Sequence, residues 1–206
     1  MGLSRVPWSE VYRVLGGDPA LRSLVALSRA IMGEDEAHGW PHIVRVAGWA
    51  ESLRRTHGGD PRILYAALLL HDAGRSLPGG GHHAVKSANL AYEILPSLGY
   101  DSREVEAVVH AILAHSYSLG VRAESVEAMI LSDADKLDAL GVVGVARAFI
   151  TGSHLGRSIS DSIRHMEEKL LRLPRLMYFE ESRRAAEALL LPVKSMLEHA
   201  RREGLL

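Results

Sequence analysis

The amino-acid sequence predicts an all-α fold. Apolar residues recur at helical spacing along almost all of the 206 residues, and no segment shows the alternation of apolar and polar residues that a half-buried strand requires. An aspartate followed by proline, a common helix start, occurs at Asp18-Pro19 and again at Asp60-Pro61. These observations predict a bundle of helices in a single domain, residues 1–206.

Caps, periodicity and helix breakers define the predicted elements. The predicted helices run from Asp18-Pro19 to about Met32, from Pro41 to His57, from Asp60-Pro61 through "RILYAALLLHD", from about His82 to Leu98, from Asp101 to His115, and, as one or two helices, from Glu124 to Ile150. Loops are predicted at residues 74–81 and 151–160, where glycine and serine are frequent. After the second loop we expect charged amphipathic helices with breaks at Pro174 and Pro192.

The overall composition excludes several classes of function. The chain has 24 lysines and arginines against 25 aspartates and glutamates, whereas a dedicated nucleic-acid binder neutralises phosphates with a basic surface. It has no cysteine, so disulfides, thiolate metal sites and cysteine nucleophiles are excluded. The N-terminal "MGLSRVPWSE" lacks a secretory pattern, and no apolar run could span a bilayer. We expect a cytoplasmic protein with neither a nucleic-acid nor a membrane partner.

Several of the eleven histidines lie beside aspartates or at the ends of predicted helices. His71 and Asp72 end a helix that is apolar nearly all round, so both side chains are expected to reach the interior. His42 lies in the first turn of its own helix, at the edge of the apolar stripe. A lone His-Asp pair is more often a hydrogen-bonded helix end than a pair of ligands. These two sites, together with the group of aspartates on a third predicted helix, favour a metal centre.

A group of three aspartates lies in "ILSDADKLDALG". Buried carboxylates are costly unless they are paired with a cation or a metal. At about 100° per residue, Asp133 and Asp135 diverge by about 160°, while Asp135 and Asp138 lie within about 60° of each other. Asp133 and Asp135 are therefore not expected to bind one ion together. Helical geometry does not choose between them, and pairing with Lys136 or with basic residues of other helices is the structural alternative.

Imidazole and carboxylate groups together form a mixed nitrogen and oxygen ligand set. Such a set suits Mn, Fe, Co, Ni or Zn and is less suited to Mg, which prefers oxygen ligands and water. A metal ion of this kind with an open coordination position lowers the pKa of a bound water and polarises a phosphoryl oxygen. The expected cofactor is therefore a divalent transition metal, one ion or two.

Three motifs in order, "HGWPHIVRVAGWA", "LLLHDAGR" and "DADKLDALG", resemble the H…HD…D motif of the HD superfamily of metal-dependent phosphohydrolases. The resemblance is closest to small stand-alone HD hydrolases of bacteria and archaea and extends over most of the chain. It implies an HD-domain helical bundle with additional C-terminal helices. The implied metal-binding core covers about residues 38–150, and the C-terminal extension covers about residues 158–206.

The resemblance implies a set of four metal ligands: His42, His71, Asp72 and Asp135. In this group the last ligand is the aspartate just before a basic residue and a leucine, which selects Asp135 over Asp133. Asp72 is also the expected catalytic residue, because it could both bind the metal and position the attacking water.

Basic residues near the motifs are candidates for binding substrate phosphate: Arg45, Arg75, Lys86 and Lys136. Arg45 follows His42 by about one helical turn, and its guanidinium could clamp a phosphate with two hydrogen bonds. Pairing with an acidic residue of another helix is an equal alternative for Arg45. Lys136 could bind phosphate or neutralise Asp133. Arg45 and Lys136 are the predicted substrate contacts of this set.

Two further histidines, His83 and His115, lie between the HD dyad and the last aspartate. Cyclic nucleotide and cyclic dinucleotide phosphodiesterases of the superfamily use two histidines in this interval to bind a second metal. We expect His83 and His115 to contact substrate phosphate or the metal ligands instead, and a second metal is the alternative. His110 lies about 140° from His115 on a helix, so the two should not both face one site.

The resemblance implies that a metal-activated water attacks a phosphoester or a pyrophosphate. The expected substrate is a small phosphorylated molecule, with nucleotides as the first choice. One alternative is a nucleotide-binding regulatory HD module without hydrolytic activity. The other is an HD oxygenase with a di-iron centre, since some members of the superfamily oxygenate organic substrates.

Overall fold

The computed structural model describes residues 2–206. Within this range there is no strand, which confirms the predicted all-α class. The α-helices of the described range are α1 (Trp8–Gly16), α2 (Pro19–Met32), α3 (Trp40–His57), α4 (Pro61–Leu70), α5 (His83–Ile94), α6 (Ser102–His115), α7 (Val126–Asp138), α8 (Gly141–His154), α9 (Ile159–Lys169) and α10 (Glu180–Arg202). None of these helices is both long and apolar enough to cross a membrane.

Several helix boundaries follow from the capping residues that the sequence predicts. Asp18 accepts hydrogen bonds from two backbone N–H groups in the first turn of α2, and Asp60 accepts one in α4. Asp101 and Glu104 form a reciprocal capping box at the start of α6. Gly58 ends α3 with a φ of 79°, a backbone conformation that other residues rarely adopt.

Three boundaries differ from the predicted ones. No predicted segment covers α1, because the residue at its N-cap position, Pro7, offers no capping side chain. The predicted loop at 151–160 is reduced to residues 155–158, since α8 extends to His154 and Ser158 caps α9. The predicted break at Pro192 is wrong, because α10 continues through it.

Packing explains the continuity of α10 at Pro192. A proline inside a helix removes one backbone hydrogen bond and crowds the preceding turn, at a cost of about 3 kcal/mol. Leu190, Val193 and Leu197 on either side of it are buried, and α10 packs against α8 and α9. Burying each such side chain contributes about 1.5–3 kcal/mol. The sum of these contributions exceeds the cost of the proline.

The chain divides into two compact units. The first contains Ser4–Ala134, and the second contains residues 135–206 together with residues 2–3. In the first unit α4 packs against α2, α3, α5 and α6, and in the second unit α8, α9 and α10 pack against one another. The expectation of one domain with a metal-binding core at about 38–150 and an extension at about 158–206 stays a prediction.

α4 forms the centre of the first unit. The seven residues of "LYAALLL", residues 64–70, are each 0% exposed, as expected for a helix that is apolar all round. The helix leads directly into His71 and Asp72, whose exposed fractions are 0% and 2%. The expectation that this helix carries both side chains into the interior is confirmed.

A buried carboxylate joins α3 to α4 and α1. Glu51 of α3, whose side chain is 2% exposed, accepts hydrogen bonds from Tyr65 Oη at 2.7 Å and from Arg54 Nε at 2.7 Å. Arg55 donates to Glu51 at 3.0 Å and to Glu10 of α1 at 2.8 Å. Burial alone would raise the pKa of Glu51, but these hydrogen bonds hold the pKa below its usual value of 4.5. The network therefore fixes α3 and α4, which supply the first two motifs, relative to each other.

A close backbone contact holds the segment that follows Asp72. Ala73–Arg75 form a short 3-10 helix that packs against α5. The backbone N–H of Gly74 donates to Ser87 Oγ at 2.8 Å, and a Cβ at position 74 would lie 2.1 Å from the carbonyl oxygen of His83. A side chain does not fit this approach, so the position of Asp72 is tied to the start of α5.

Replacing Glu51 with glutamine should lower the free energy of unfolding by about 2 kcal/mol at neutral pH, because a buried acceptor of arginine hydrogen bonds loses its charge. Urea unfolding measures the loss, and Glu93→Gln on the exposed face of α5 is the matched control. The depressed pKa stabilises the fold above pH 4.5, and this contribution is lost as the pH falls through the folded-state pKa. The difference between wild type and E51Q should therefore narrow in acid, and a constant difference down to about pH 3 would contradict this role.

Replacing Gly74 with alanine should lower the free energy of unfolding by about 1–3 kcal/mol, because the new methyl group forces the 3-10 helix away from α5. Gly80→Ala is the control, since a Cβ there meets nothing within 4 Å. Urea unfolding of both variants measures the difference. Equal stabilities for G74A and G80A would contradict the close packing at this point.

Candidate metal centre

The first unit brings four histidines and one aspartate together. They are supplied by the first turn of α3 (His42), the end of α4 (His71 and Asp72), the first residue of α5 (His83) and the last residue of α6 (His115). All are buried except His83, whose side chain is 16% exposed. Helix ends therefore supply every member of the cluster, so the positions of these side chains depend on the packing of α3 to α6.

Asp72 lies in the middle of the cluster, and its two carboxylate oxygens face different histidines. Oδ2 lies 3.9 Å from His42 Nε2 and 4.0 Å from His71 Nε2. Oδ1 lies 3.3 Å from His83 Nε2 and 3.8 Å from His115 Nε2. The carboxylate is thus shared by two groups of imidazoles.

The Asp72 carboxylate is charged and only partly satisfied. Burial would raise the pKa of Asp72, but the positive charge of Arg75 holds the pKa well below its usual range. Oδ1 is buried and accepts no hydrogen bond from the described residues. Buried polar atoms in folded proteins nearly always have a partner, and an exception requires an explanation. A bound cation, or a water bound to that cation, would supply the missing partner.

Backbone carbonyls fix the orientation of two of the imidazole rings. His71 Nδ1 donates to the carbonyl oxygen of Leu68 at 2.7 Å, and His115 Nδ1 makes the same short bond to Ile112. A carbonyl only accepts, so in the neutral form of each ring the proton lies on Nδ1 and the lone pair lies on Nε2. Both Nε2 atoms face Asp72. Metal-binding histidines commonly use this arrangement, in which the second ring nitrogen is held by a carbonyl.

The spacing of these atoms suits a metal ion. Two groups have ligand atoms that all lie within 4.8 Å of one another: His42, His71 and Asp72, and Asp72, His83 and His115. With metal–ligand bonds of about 2.1 Å, neighbouring ligand atoms lie about 3.0–3.4 Å apart. His42 Nε2 and His71 Nε2 are 3.3 Å apart. The distances from Asp72 Oδ2 to these two atoms, 3.9 Å and 4.0 Å, are longer. The predicted ligands His42, His71 and Asp72 are therefore brought together in a cluster that could hold a metal ion.

Arg75 reaches the cluster from the outside. Its side chain is 38% exposed, and its Nε lies 2.8 Å from Asp72 Oδ2. Its Nη2 lies 3.2 Å from His83 Nε2. Burial lowers the pKa of His83 to about 3, so the ring is neutral and can accept this hydrogen bond. Arg75 is one of the basic residues noted near the motifs, and its spacing of three residues from Asp72 is the sequence signal for the contact.

Two of the other candidate phosphate-binding cations have protein partners. Arg45 donates to Glu36 Oε2 at 3.0 Å and to the Glu36 carbonyl oxygen at 2.7 Å. The partner is acidic, as in the alternative to a phosphate clamp, but Glu36 lies in the turn before α3 and not in another helix. Lys86 Nζ donates to the carbonyl oxygens of Leu77 and Gly79 at 2.6 Å and 3.3 Å. Lys86 therefore holds the glycine-rich loop.

The aspartates of α7 differ in their surroundings. Asp133 is 0% exposed, and Asp135 is partly buried. Asp138 pairs with Arg147 at 3.0 Å. Lys136 is buried, and its Nζ lies 5.9 Å from the ring centroid of Tyr178. The assignment of Asp135 to the metal and of Lys136 to the substrate stays a prediction.

Two neighbouring histidines have structural roles. His110 Nε2 accepts a hydrogen bond from the backbone N–H of Glu124 at 3.1 Å, so His110 and His115 do not share one site, as the helical geometry predicts. His82 caps α5 by accepting a hydrogen bond from Ala84 at 3.2 Å. His82 is not among the predicted site residues. Its role agrees with the predicted start of this helix at about His82.

Comparison with known proteins identifies a family. The sequence model of the HD domain matches residues 39–140, a range that includes the whole cluster and Asp135. Protein YpgQ of Bacillus subtilis, which is uncharacterized, is 31% identical over 163 residues, which are 75% of this chain and 78% of YpgQ.

Solved structures are similar over most of the chain. A protein of Lactobacillus plantarum has a TM-score of 0.78 at 24% identity, over 89% of this chain and 96% of its own, a likeness of fold. An HD-superfamily hydrolase of Bacillus thuringiensis has a TM-score of 0.65 at 30% identity, over 88% and 95% of the two chains. YpgQ in complex with ADP has a TM-score of 0.67 at 28% identity, over 88% and 94%.

These similarities agree with the molecule's own features. The HD-domain match, residues 39–140, covers the three motifs except for His38 at the start of the first and Gly141 at the end of the last. The fold is helical throughout the described residues, and its histidines and Asp72 form a cluster that could hold a metal. The chain belongs to the HD-domain superfamily.

Proposed function

We propose that this protein is a metal-dependent phosphohydrolase that acts on a small phosphorylated molecule. The observation that carries the proposal is the buried Asp72 carboxylate, which lies among four imidazoles and has an oxygen without a hydrogen bond. Arg75 pairs with Oδ2, so the proposal rests on Oδ1, which a bound metal ion or a water bound to that ion would satisfy. Similarity to an HD-superfamily hydrolase of Bacillus thuringiensis supports hydrolysis as the reaction.

The proposed metal ligands are His42, His71, Asp72 and Asp135. The first three rest on their spacing, and Asp135 rests on the resemblance of "DADKLDALG" to the last part of the family motif. A divalent transition metal, when bound, lowers the pKa of a water and polarises a phosphoryl oxygen. We propose one ion at this position. The group formed by Asp72, His83 and His115 supports a second ion as the alternative.

Asp72 and His115 are proposed to handle the attacking water. Asp72 Oδ1 has no hydrogen-bond partner, so it can accept a hydrogen bond from a water and orient it toward phosphorus. His115 Nε2, 3.8 Å from Oδ1, has a free lone pair because Nδ1 donates to Ile112. It can therefore accept the proton that the water loses as the new P–O bond forms and the leaving oxygen departs.

The substrate phosphate is proposed to approach from the side of His83. His83 is the least buried member of the cluster, so it is the member that a substrate can reach first, and it is proposed as a substrate contact together with His115. Arg45 and Lys136 remain proposed phosphate contacts, with Arg45 exchanging its bond to Glu36 for one to phosphate. Nucleotides are the proposed substrate class, supported by the complex of YpgQ with ADP.

Replacing His71 with alanine should abolish both metal binding and hydrolysis, because it removes a buried donor whose orientation is fixed by Leu68. The measurement pairs metal analysis of the purified protein with product release from nucleotides and generic phosphoesters in the presence of Mn²⁺ or Co²⁺. His110→Ala is the matched control, since His110 lies outside the cluster and its loss should leave both properties unchanged. Turnover by H71A at the wild-type rate would overturn the proposal.

The same assay separates the two alternatives. A regulatory module would bind a nucleotide and release it unchanged after long incubation with Mn²⁺. A di-iron oxygenase would consume oxygen and lose its activity under anaerobic conditions. The proposed phosphohydrolase forms product without oxygen.

Replacing Asp135 with asparagine should weaken Mn²⁺ binding by about 10-fold to 100-fold or more, a loss at least as large as that from removing a residue that supports a ligand. Isothermal titration calorimetry measures the affinity. Asp133→Asn, which changes the neighbouring aspartate in the same way, is the comparison. Weaker binding by D133N and unchanged binding by D135N would reverse the assignment.

A further inference from the structure

Arg75 holds one donor atom in each of the two groups that could bind a metal. Its Nε lies 2.8 Å from Asp72 Oδ2, the oxygen that faces His42 and His71. Its Nη2 lies 3.2 Å from His83 Nε2, a member of the second group. The guanidinium therefore occupies the electron pairs that a metal would need.

We infer that Arg75 is an internal cation that a metal displaces, and that the displaced guanidinium then binds the substrate phosphate. This inference rests on the proposed function. It adds Arg75 as a phosphate contact and links metal binding to phosphate binding. Arg75 pairs with Asp72 at 2.8 Å and neutralises its charge. When a metal binds, the ion neutralises Asp72 and the guanidinium is displaced. The planar set of donors of the displaced guanidinium suits phosphate.

The structure separates a fixed backbone from a movable side chain at this position. The 3-10 helix Ala73–Arg75 is held by the bond from Gly74 to Ser87 and by the close approach of Gly74 to the carbonyl of His83. The Arg75 side chain is 38% exposed, whereas that of Asp72 is 3% exposed. Rotation of the Arg75 side chain toward solvent therefore requires no change in the core.

The exchange makes metal and phosphate bind cooperatively. A metal that displaces Arg75 breaks an ion pair with Asp72, which weakens metal binding in the absence of phosphate. Phosphate that binds the displaced guanidinium offsets the cost of breaking this ion pair, so the affinity for the metal rises. By thermodynamic linkage, each ligand raises the affinity for the other by the same factor.

Titration calorimetry with Mn²⁺, with and without inorganic phosphate, tests the inference. In wild type, phosphate should raise the affinity for Mn²⁺ by about tenfold, within the usual range of coupling between sites. Arg75→Ala should bind Mn²⁺ more tightly than wild type without phosphate, and phosphate should then have a several-fold smaller effect. Arg103→Ala, the same change at an exposed position of α6, should behave as wild type.

The outcomes are distinct from those that test the proposed function. If wild type binds no Mn²⁺, the proposed function fails and this inference fails with it. If wild type binds Mn²⁺ and hydrolyses substrate, but R75A binds Mn²⁺ no more tightly and keeps the full effect of phosphate, this inference alone is overturned. Circular dichroism checks the folding of R75A. Arg75→Gln, which keeps the side-chain stem and removes the charge, gives the same test if R75A does not fold.

Discussion

The buried charge of Asp72 is the constraint on which the rest of the site depends. Its carboxylate lies among the packed ends of α3 to α6, where an uncompensated charge would be strongly unfavourable. In this structure the compensating charge comes from Arg75 at 2.8 Å, and one oxygen still lacks a hydrogen bond. A site with an unsatisfied buried carboxylate and imidazole lone pairs directed toward it is suited to a cation. It is poorly suited to serve only as a structural contact.

The helices achieve this arrangement through rigid packing. The fully buried segment 64–70 fixes where α4 ends and so where the HD dyad lies. The Glu51 network holds α3 against α4, which sets the spacing of His42 and His71 at 3.3 Å. The contact of Gly74 with α5 sets the distance from Asp72 to His83. The elements that carry His42, His71, Asp72 and His83 are therefore held by contacts outside the cluster, as preorganised sites require.

Local rules in the sequence predict much of the fold and part of the site. The caps at Asp18, Asp60 and Asp101 and the apolar face of α4 are local features, and the structure confirms them. The break predicted at Pro192 is wrong because buried side chains on both sides stabilise the helix by more than the local cost of proline. The grouping of His42, His71 and Asp72 follows from the motif order, but the contact of Arg75 with both Asp72 and His83 depends on side-chain directions across separate elements. The spacing of apolar and polar residues along the sequence does not predict such a contact.

Anomalous diffraction at the Mn absorption edge, from crystals soaked in Mn²⁺, tests the central claim most directly. The account predicts a peak about 2.0–2.2 Å from His42 Nε2, His71 Nε2 and an Asp72 oxygen, with the Arg75 guanidinium moved away from Asp72. A peak at another site, or a water filling the position beside Asp72 Oδ1 with no metal bound at saturating Mn²⁺, would contradict it.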